Sequence, residues 1–597
     1  MALNKMAWML EGVAASPGIV IGKAVVLKKA KVDVKPTAIG SSKVRKEISD
    51  FKKAIAMVKK DLQKLAITVG QRLDPEYSRI FEAQMMIADD QVINARVVKL
   101  VKEKKLSAAY LYHQQVDEVI EQLSNSKDPY LRERTLDIDS VCTKFLNVLQ
   151  GVKKAVVKDV EGPTIVIASN LSPGDLLGFS VRKKVGFAME IGGVTSHTSL
   201  LAKSLNLPAV VGLGPGVGKV DTGDRIILDG FTGKLYVNPD QSILKDYHRR
   251  QRYLTGLNLQ LSKLKSKPAR TRDGYQVKIM GNIELPTETA RVIKSGAEGI
   301  GLYRTEYLFL TDSAYPGIDK QFRVYKSILK KMGDEPVKIR TFDMGGDKFI
   351  SRASRSVDPN PFLGWRAIRF CLDNPEIFKI QLKALLKASV HGSLEIMLPM
   401  ISNLDELLET KRLIKECRNE LAAENVIIKD NIPLGIMIEV PSAVLLAEHL
   451  AAEVDFFSIG TNDLIQYVMA VDRSNEQLAH LYQSLNPAVL MMIKQTIVAG
   501  HNHGIKVGIC GEFAADPYGV ILLIGLGVDE FSVNYQSTGL VKQIVCNIDR
   551  KHASETAEHA CRLQTASQVK NYLRSQVKSH FPELLPLIEF IKGVAND

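Results

Sequence analysis

The chain has 597 residues, 45% of them apolar and 24% charged, with a formal net charge of +13. This is the composition of an ordinary globular chain with a sizeable core, at a length that suits about four domains. Lys and Arg interleave with Asp and Glu, without a long basic run or an aromatic-basic stripe, so nucleic-acid binding is not expected. The six cysteines, Cys142, Cys371, Cys417, Cys510, Cys546 and Cys561, form no Cys-x-x-Cys pair. That argues against a zinc site and against a disulfide framework. The opening stretch, MALNKMAWMLEGVAASPG, is broken by Glu11 and Pro17 and lacks the apolar core of a signal peptide. The longest strongly apolar stretch, near 519–528, is too short to span a bilayer. No membrane segment is expected, and a reducing cytoplasm is the expected compartment.

Taken in chain order, residues 1–40 begin an α/β domain, with short strands over about 12–28 around a Ser-Pro-Gly turn. Residues 41–150 change character: Gly70 is their only glycine, and ISDFKKAIAMVKKDLQKLA has the periodicity of an amphipathic helix. Strands return over 151–240 as PTIVIAS, KVGFAMEIGG, LPAVVGLG, DRIILDG and GKLYVNP, with one helix between them. The pattern predicts one α/β domain interrupted by a helical insertion. Residues 241–268 read as a long helix ending at Pro268 and joining two halves. From 269 to 597, short apolar runs recur: YQVKIMGNI, GIGLYRT, VKIRTFD, LEIMLPM, PLGIMIEV, DFFSIGT, KVGICGE and EFSVNYQ. Such strands alternating with helices, eight in all, predict a (β/α)8 barrel. The predicted fold is therefore α/β and multidomain.

The ends of these runs carry the unusual polar residues: Asn282, Arg304, Arg340 with Asp343, Glu439, Asn462 with Asp463, and Cys510 with Glu512. Barrel enzymes build their sites at the C-terminal ends of the strands. Arg304 and Arg340, with Arg366 and Arg473 in following loops, suit a small ligand rich in carboxylate and phosphate oxygens. Glu439 and Asp463 end adjacent strands, and two carboxylates plus substrate oxygens is a common way to hold Mg²⁺. A single arginine at one of these positions would read as a surface ion pair; their convergence favours a site.

The sharpest motif is Gly192-Gly193-Val194-Thr195-Ser196-His197-Thr198-Ser199, where His197 opens the helix HTSLLAKSLNL. Backbone N–H groups at a helix start favour an anion, which suits a phosphoryl group carried on His197. An ordinary imidazole titrates near about 6.5, so its neutral nucleophilic form is available at neutral pH. On its own this histidine would read as a polar residue beside a helix cap. His501 and His503, two apart in a loop, make a weak metal pair. The run GLGPGVG at 212–218 is no dinucleotide fingerprint, because it follows a helix instead of opening one.

GGVTSHTSLLAKSLNLPAVVG resembles the phosphohistidine signature of the phosphoenolpyruvate-utilising enzymes, and DFFSIGTNDLIQYVMAVDR resembles their second signature. SPGIVIGKA, GAEGIGLYRTEYLFL, IRTFDMGGDK, NPFLGWRAIR, GIMIEVPSA and GICGEFA agree, so the resemblance covers essentially the whole chain and is closest to the Enzyme I branch of bacterial sugar phosphotransferase systems. The resemblance implies a phosphoenolpyruvate–protein phosphotransferase. His197 matches the histidine phosphorylated on Nε2. Arg304, Arg340 and Arg473 match substrate-binding arginines, to which the strand-end reading adds Arg366. Asn462 and Asp463 match a ligand-binding pair, with Asp463 and Glu439 holding Mg²⁺. Cys510 matches the acid that protonates the pyruvate enolate; from the residues alone it reads as a buried structural cysteine. The helical segment 41–150 matches the docking module for the phosphocarrier HPr, and the barrel is implied to form a homodimer.

Pyruvate phosphate dikinase and phosphoenolpyruvate synthase share both signatures but carry an ATP-grasp domain, for which the chain before residue 12 offers no room. A non-catalytic regulatory relative would be expected to lack His197, Cys510 or an arginine; all are present. Two departures concern docking. Residues 41–150 hold 19 basic against 16 acidic residues, where the family commonly presents an acidic rim, and Gln84 stands where it often has a histidine. Asp89 and Asp90 remain candidates for the partner contact.

Overall fold

The structure is a computed structural model. It describes residues 7–27, 34–72, 75–124, 129–150, 162–169, 171, 176, 185–193, 197–205, 207–310, 315–344, 360, 362–473, 475 and 477–592. The chain divides into two compact units, residues 1–254 and 255–597.

The first unit is built on a sheet of the strands β1 (Trp8–Glu11), β2 (Val13–Ser16), β3 (Ile19–Leu27), β4 (Thr164–Ala168), β5 (Val185–Met189), β6 (Ala209–Val211), β7 (Arg225–Asp229) and β8 (Lys234–Val237), in the order β1-β8-β7-β3-β4-β5-β6-β2. The run TIVIA of β4 is apolar at nearly every position because both faces of the sheet are covered. Val166 and Ala168 enter one core with Phe187, Met189 and Leu201. Ile165 and Ile167 enter the opposite one with Ala188, Val210 and Leu228. β3 and β4 are parallel neighbours although more than a hundred residues separate them, and the helical segment lies in that gap. Its helices are Val44–Arg72, Pro75–Ala88, Gln91–Lys104, Ala108–Ser124 and Pro129–Leu149. Phe51, Ala54, Val58 and Leu62 recur at helical spacing and are buried, and Phe51 meets Tyr112 and Phe145 edge-on in that core.

The long helix runs from Gln241 to Leu264. Just beyond its end, the buried ammonium of Lys542 donates to the carbonyls of Lys265, Lys267 and Gly296 at 3.0, 2.9 and 2.7 Å. Gly296 is required there: its φ is +79°, and a Cβ would lie 2.1 Å from the Lys265 carbonyl oxygen.

The second unit is a closed barrel. Its strands are β10 (Gln276–Ile283), β11 (Ile300–Tyr303), β12 (Pro336–Arg340), β13 (Ser393–Leu398), β14 (Leu434–Ile438), β15 (Phe456–Gly460), β16 (Lys506–Cys510) and β17 (Glu530–Asn534). Each pairs in parallel with the next, and β17 pairs in parallel with β10, which closes the ring. The short strand β9 (Ala269–Arg270) pairs antiparallel with the start of β10. These eight parallel strands coincide with the eight runs read from the sequence. The interior is filled in layers. Leu302, Met397, Met437, Phe456 and Cys510 make a buried apolar plug. An ionic layer accompanies it: Lys338 lies 2.8 Å from Glu530 and 3.1 Å from Glu395, and its ammonium sits 5.1 Å from the Phe456 ring centre. Among the described residues, no helix is long and apolar enough to cross a membrane.

Candidate active site

Parallel strands all end on one face of a closed barrel, so the residues that follow them share a rim. Arg340 is the last residue of β12 and is buried. Its Nη2 donates to Glu306 Oε1 at 2.6 Å, and its Nη1 lies 2.8 Å from Asp343 Oδ2 and 3.7 Å from Met437 Sδ. Arg366 Nη2 reaches the other oxygen of Asp343 at 2.6 Å and Asp463 Oδ2 at 3.5 Å. The result is a buried row of alternating charge: Glu306, Arg340, Asp343, Arg366, Asp463. Burial alone would raise the Asp343 carboxyl, but the two guanidinium groups hold it below the ordinary range. Arg340 is kept charged against the cost of burial by Asp343 and Glu306.

Glu439 follows β14 and is 1% exposed. Its Oε1 accepts from the backbone N–H of Met400 at 2.7 Å. Burial, then Asp463 and Asp343, push its carboxyl up to about 8 against the opposing pull of Arg340 and Arg366. The rim thus carries more buried carboxylate than its two buried arginines neutralise, a surplus that suits a bound cation. Asn462 and Asp463 lie in the first turn of the helix Thr461–Met469, directly after β15. Asn462 Oδ1 accepts from the Glu512 N–H at 3.0 Å, which leaves its amide nitrogen as a donor without a partner among the described residues. Tyr482 donates to the Asn462 carbonyl at 3.1 Å.

Cys510 ends β16 and is buried. Ser458 donates to its sulfur at 3.6 Å, and the thiol donates to the Ile459 carbonyl at 3.5 Å. Burial pushes the thiol up to about 11, with the Ser458 hydrogen bond opposing, so it stays protonated at neutral pH. Arg304 follows β11, and its Nη1 lies 2.8 Å from the exposed Glu284. Arg473 is exposed; its backbone N–H donates to Gln466 at 3.2 Å, and its charge acts on the Tyr482 phenol. The structure therefore joins Arg340, Arg366, Asp463 and Glu439 in one buried cluster. Cys510 lies within the electrostatic reach of Glu439, Arg340 and Arg304; Asn462 accepts from Tyr482, and the charge of Arg473 acts on that same phenol.

His197 opens the helix His197–Ser204 in the first unit. The turn residues 194–196 lie outside the described residues. The helix start is tied down by its next two residues: Thr198 donates to the Leu171 carbonyl at 3.0 Å and Ser199 to the Gly193 carbonyl at 2.7 Å. Gly192 has φ +138°, and a Cβ there would press on Val211 at 3.3 Å. His501 Nε2 lies 2.9 Å from Asp529 and His503 Nε2 3.0 Å from Glu448, each within an ordinary hydrogen-bond distance. The glycine run at 212–218 forms a loop and a 3-10 turn over Pro215–Lys219.

Three family models match the chain: the N-terminal domain of phosphoenolpyruvate-utilising enzymes over 11–134, their mobile domain over 160–233 and their phosphoenolpyruvate-binding domain over 258–550. A phosphoenolpyruvate-protein phosphotransferase of Haemophilus influenzae is 38% identical over 565 residues, covering 94% of this chain and 98% of the relative. Enzymes of the same name from Bacillus sp. (strain S) and Staphylococcus carnosus are 37% and 36% identical, covering 95% and 96% of this chain and 97% and 100% of theirs. The chain belongs to the phosphoenolpyruvate-utilising enzyme family. Within this family architecture, His197 falls in the mobile-domain match, and Arg304, Arg340, Arg366, Glu439, Asn462, Asp463, Arg473 and Cys510 fall in the phosphoenolpyruvate-binding match. Glu306 was not singled out in the sequence, although it stands two residues after Arg304. A carboxylate so close behind a strand-end arginine was the available signal. Lys338 was also passed over; a lysine alternating with Val337, Ile339 and Arg340 in a buried strand was its signal.

Proposed function

We propose that this enzyme takes the phosphoryl group of phosphoenolpyruvate onto Nε2 of His197 and passes it to HPr. HPr docks on the helical segment 44–149, and the reaction is the first step of a sugar phosphotransferase system in the cytoplasm. The near-full-length likeness to phosphoenolpyruvate-protein phosphotransferases makes the chain a phosphoenolpyruvate–protein phosphotransferase. The observation that carries the division of labour is the buried alternating row at the barrel rim, in which arginines and surplus carboxylate meet beside a protonated thiol.

Arg304, Arg340, Arg366 and Arg473 bind the carboxylate and phosphate oxygens, and Asn462 donates from its amide nitrogen. Asp463 and Glu439 hold Mg²⁺, a cation that takes few protein carboxylates and completes its shell with water and substrate oxygens. When bound, that ion neutralises charge on the transferring group. His197 forms the N–P bond while the P–O bond to the enol oxygen breaks, and that electron pair leaves on pyruvate enolate. Cys510 then gives its proton to the methylene carbon, and solvent reprotonates the thiolate. A second copy of the chain associates through the barrel.

The test is incubation with labelled phosphoenolpyruvate and Mg²⁺, followed by mapping of the label. Label on His197 that chases onto HPr, with one pyruvate released per transfer, is the expected result. Stable label at another residue overturns the reading. Cys510→Ser should leave phosphoenolpyruvate affinity within about twofold and slow pyruvate formation by roughly 10²-fold or more, the range of a lost general acid. Steady-state turnover beside direct binding measures both, and unchanged turnover would return Cys510 to a purely structural role.

A further inference from the structure

Glu306 belongs to no role assigned so far, yet it is half of the shortest contact Arg340 makes. We propose that Glu306 is a positioning residue: its carboxylate fixes the direction in which Arg340 presents its remaining N–H to phosphoenolpyruvate. The role rests on the function proposed above.

The backbone around Glu306 is held firmly. It is the first residue of the helix Glu306–Leu310. The preceding Thr305, fully buried, donates to the Arg340 carbonyl at 3.0 Å, and Gln381 donates to the Thr305 hydroxyl at 3.4 Å. The Arg304 N–H donates to the Ile283 carbonyl at 3.0 Å. The helix start is thereby pinned to the ends of β10 and β12. From that anchored point Glu306 Oε1 lies 2.6 Å from Arg340 Nη2.

A guanidinium has five N–H donors in one plane. Nη1 donates to the Met437 sulfur at 3.7 Å and lies 2.8 Å from Asp343 Oδ2 as an ion pair. Nε is buried and has no hydrogen-bond partner among the described residues, so none of them fixes the plane from that side. Glu306 takes one hydrogen of Nη2, which leaves the second Nη2 hydrogen, beside the buried Nε–H, without a partner among the described residues and open to a substrate oxygen. That hydrogen is on the same nitrogen that Glu306 grips. With Asp343 on one terminal nitrogen and Glu306 on the other, the plane cannot rotate, and the open donor has one direction. Glu306 is thus a hydrogen-bond anchor for Arg340 and makes no contact with substrate itself.

The experiment compares Glu306→Ala, Glu306→Gln and Arg340→Lys, singly and as the double variant Glu306→Ala/Arg340→Lys, in the full chain. It reads phosphoenolpyruvate-dependent phosphorylation, with thermal midpoints recorded alongside. Glu306→Ala should raise KM for phosphoenolpyruvate by about tenfold or more with a much smaller change in kcat, the scale of one lost charge-assisted hydrogen bond. Glu306→Gln keeps an acceptor oxygen for Nη2 and should recover most of that loss. The double variant should be no worse in KM than Arg340→Lys, because Glu306 acts only through Arg340. An unchanged KM in Glu306→Ala, a Gln variant as impaired as Ala, or additive effects in the double variant would each overturn the proposal. If Glu306→Ala does not fold, the Gln variant and the cycle built from it decide the matter. Wild-type protein that fails to take phosphate from phosphoenolpyruvate would instead overturn the function on which this role rests.

Discussion

His197→Ala is expected to abolish self-phosphorylation by phosphoenolpyruvate while leaving phosphoenolpyruvate binding intact. The proposed binding groups lie on the barrel rim of the second unit, and His197 lies in the first, so the substitution leaves those groups in place. Among the described residues, the two hydroxyls that follow it in the helix are already engaged. The Thr198 hydroxyl is held by the Leu171 carbonyl, and Ser199 is fully buried against the Gly193 carbonyl. A hydroxyl needs a base to become a good nucleophile, whereas an imidazole is a neutral nucleophile at neutral pH. Calorimetric titration of the variant with phosphoenolpyruvate and Mg²⁺ should match the wild type, and mass spectrometry should find no phosphoryl group. Label on the variant at wild-type stoichiometry would remove His197 from the reaction.

Lys338→Ala should destabilise the barrel by about 3–5 kcal/mol, the cost of breaking a buried ion pair from one side. Lys338 is 6% exposed and serves two carboxylates at once, Glu530 through both oxygens at 2.8 Å and Glu395 at 3.1 Å. Removing it leaves both carboxylates inside the barrel without their counter-charge and also empties the space beside Phe456. The group is not itself a source of stability, since an apolar or neutral layer of similar volume often does as well. Accordingly, Glu395→Gln and Glu530→Gln added to Lys338→Ala should recover a large part of the loss. Urea unfolding followed by tryptophan fluorescence and circular dichroism measures both. A Lys338→Ala midpoint indistinguishable from wild type would mean that the three groups do not act as a unit.

The barrel was legible because its strands are covered on both faces and read as unbroken apolar runs, which end where polar residues emerge onto the rim. The same alternation that hides Val337 and Ile339 on one side sends Lys338 and Arg340 to the other, but the charge of Lys338 has meaning only beside Glu395 and Glu530, which stand 57 and 192 positions further along. Long-range pairing of this kind leaves no local trace. The rim arginines were visible as strand-end residues; that Asp343, three residues after Arg340, would also bind Arg366 with its other oxygen was not, since Arg366 stands 23 positions further along. Cys510 is the clearest case of a residue that physics alone undersells. Its burial and its place at the end of β16 fit a core cysteine as well as an acid, and the signature GICGEFA carried the second reading.

The packed interior below the rim has a kinetic meaning. Leu302, Met397, Met437, Phe456 and Cys510 fill the space beneath the arginines, and the Lys338 layer adds charge where a channel would otherwise need room. Among the described residues, the barrel is therefore filled beneath its rim. Phosphoenolpyruvate arrives and pyruvate departs by the rim, and neither can pass the other. Pyruvate and phosphoenolpyruvate compete for one vacancy, so clearing the rim is an obligatory interval between successive turnovers.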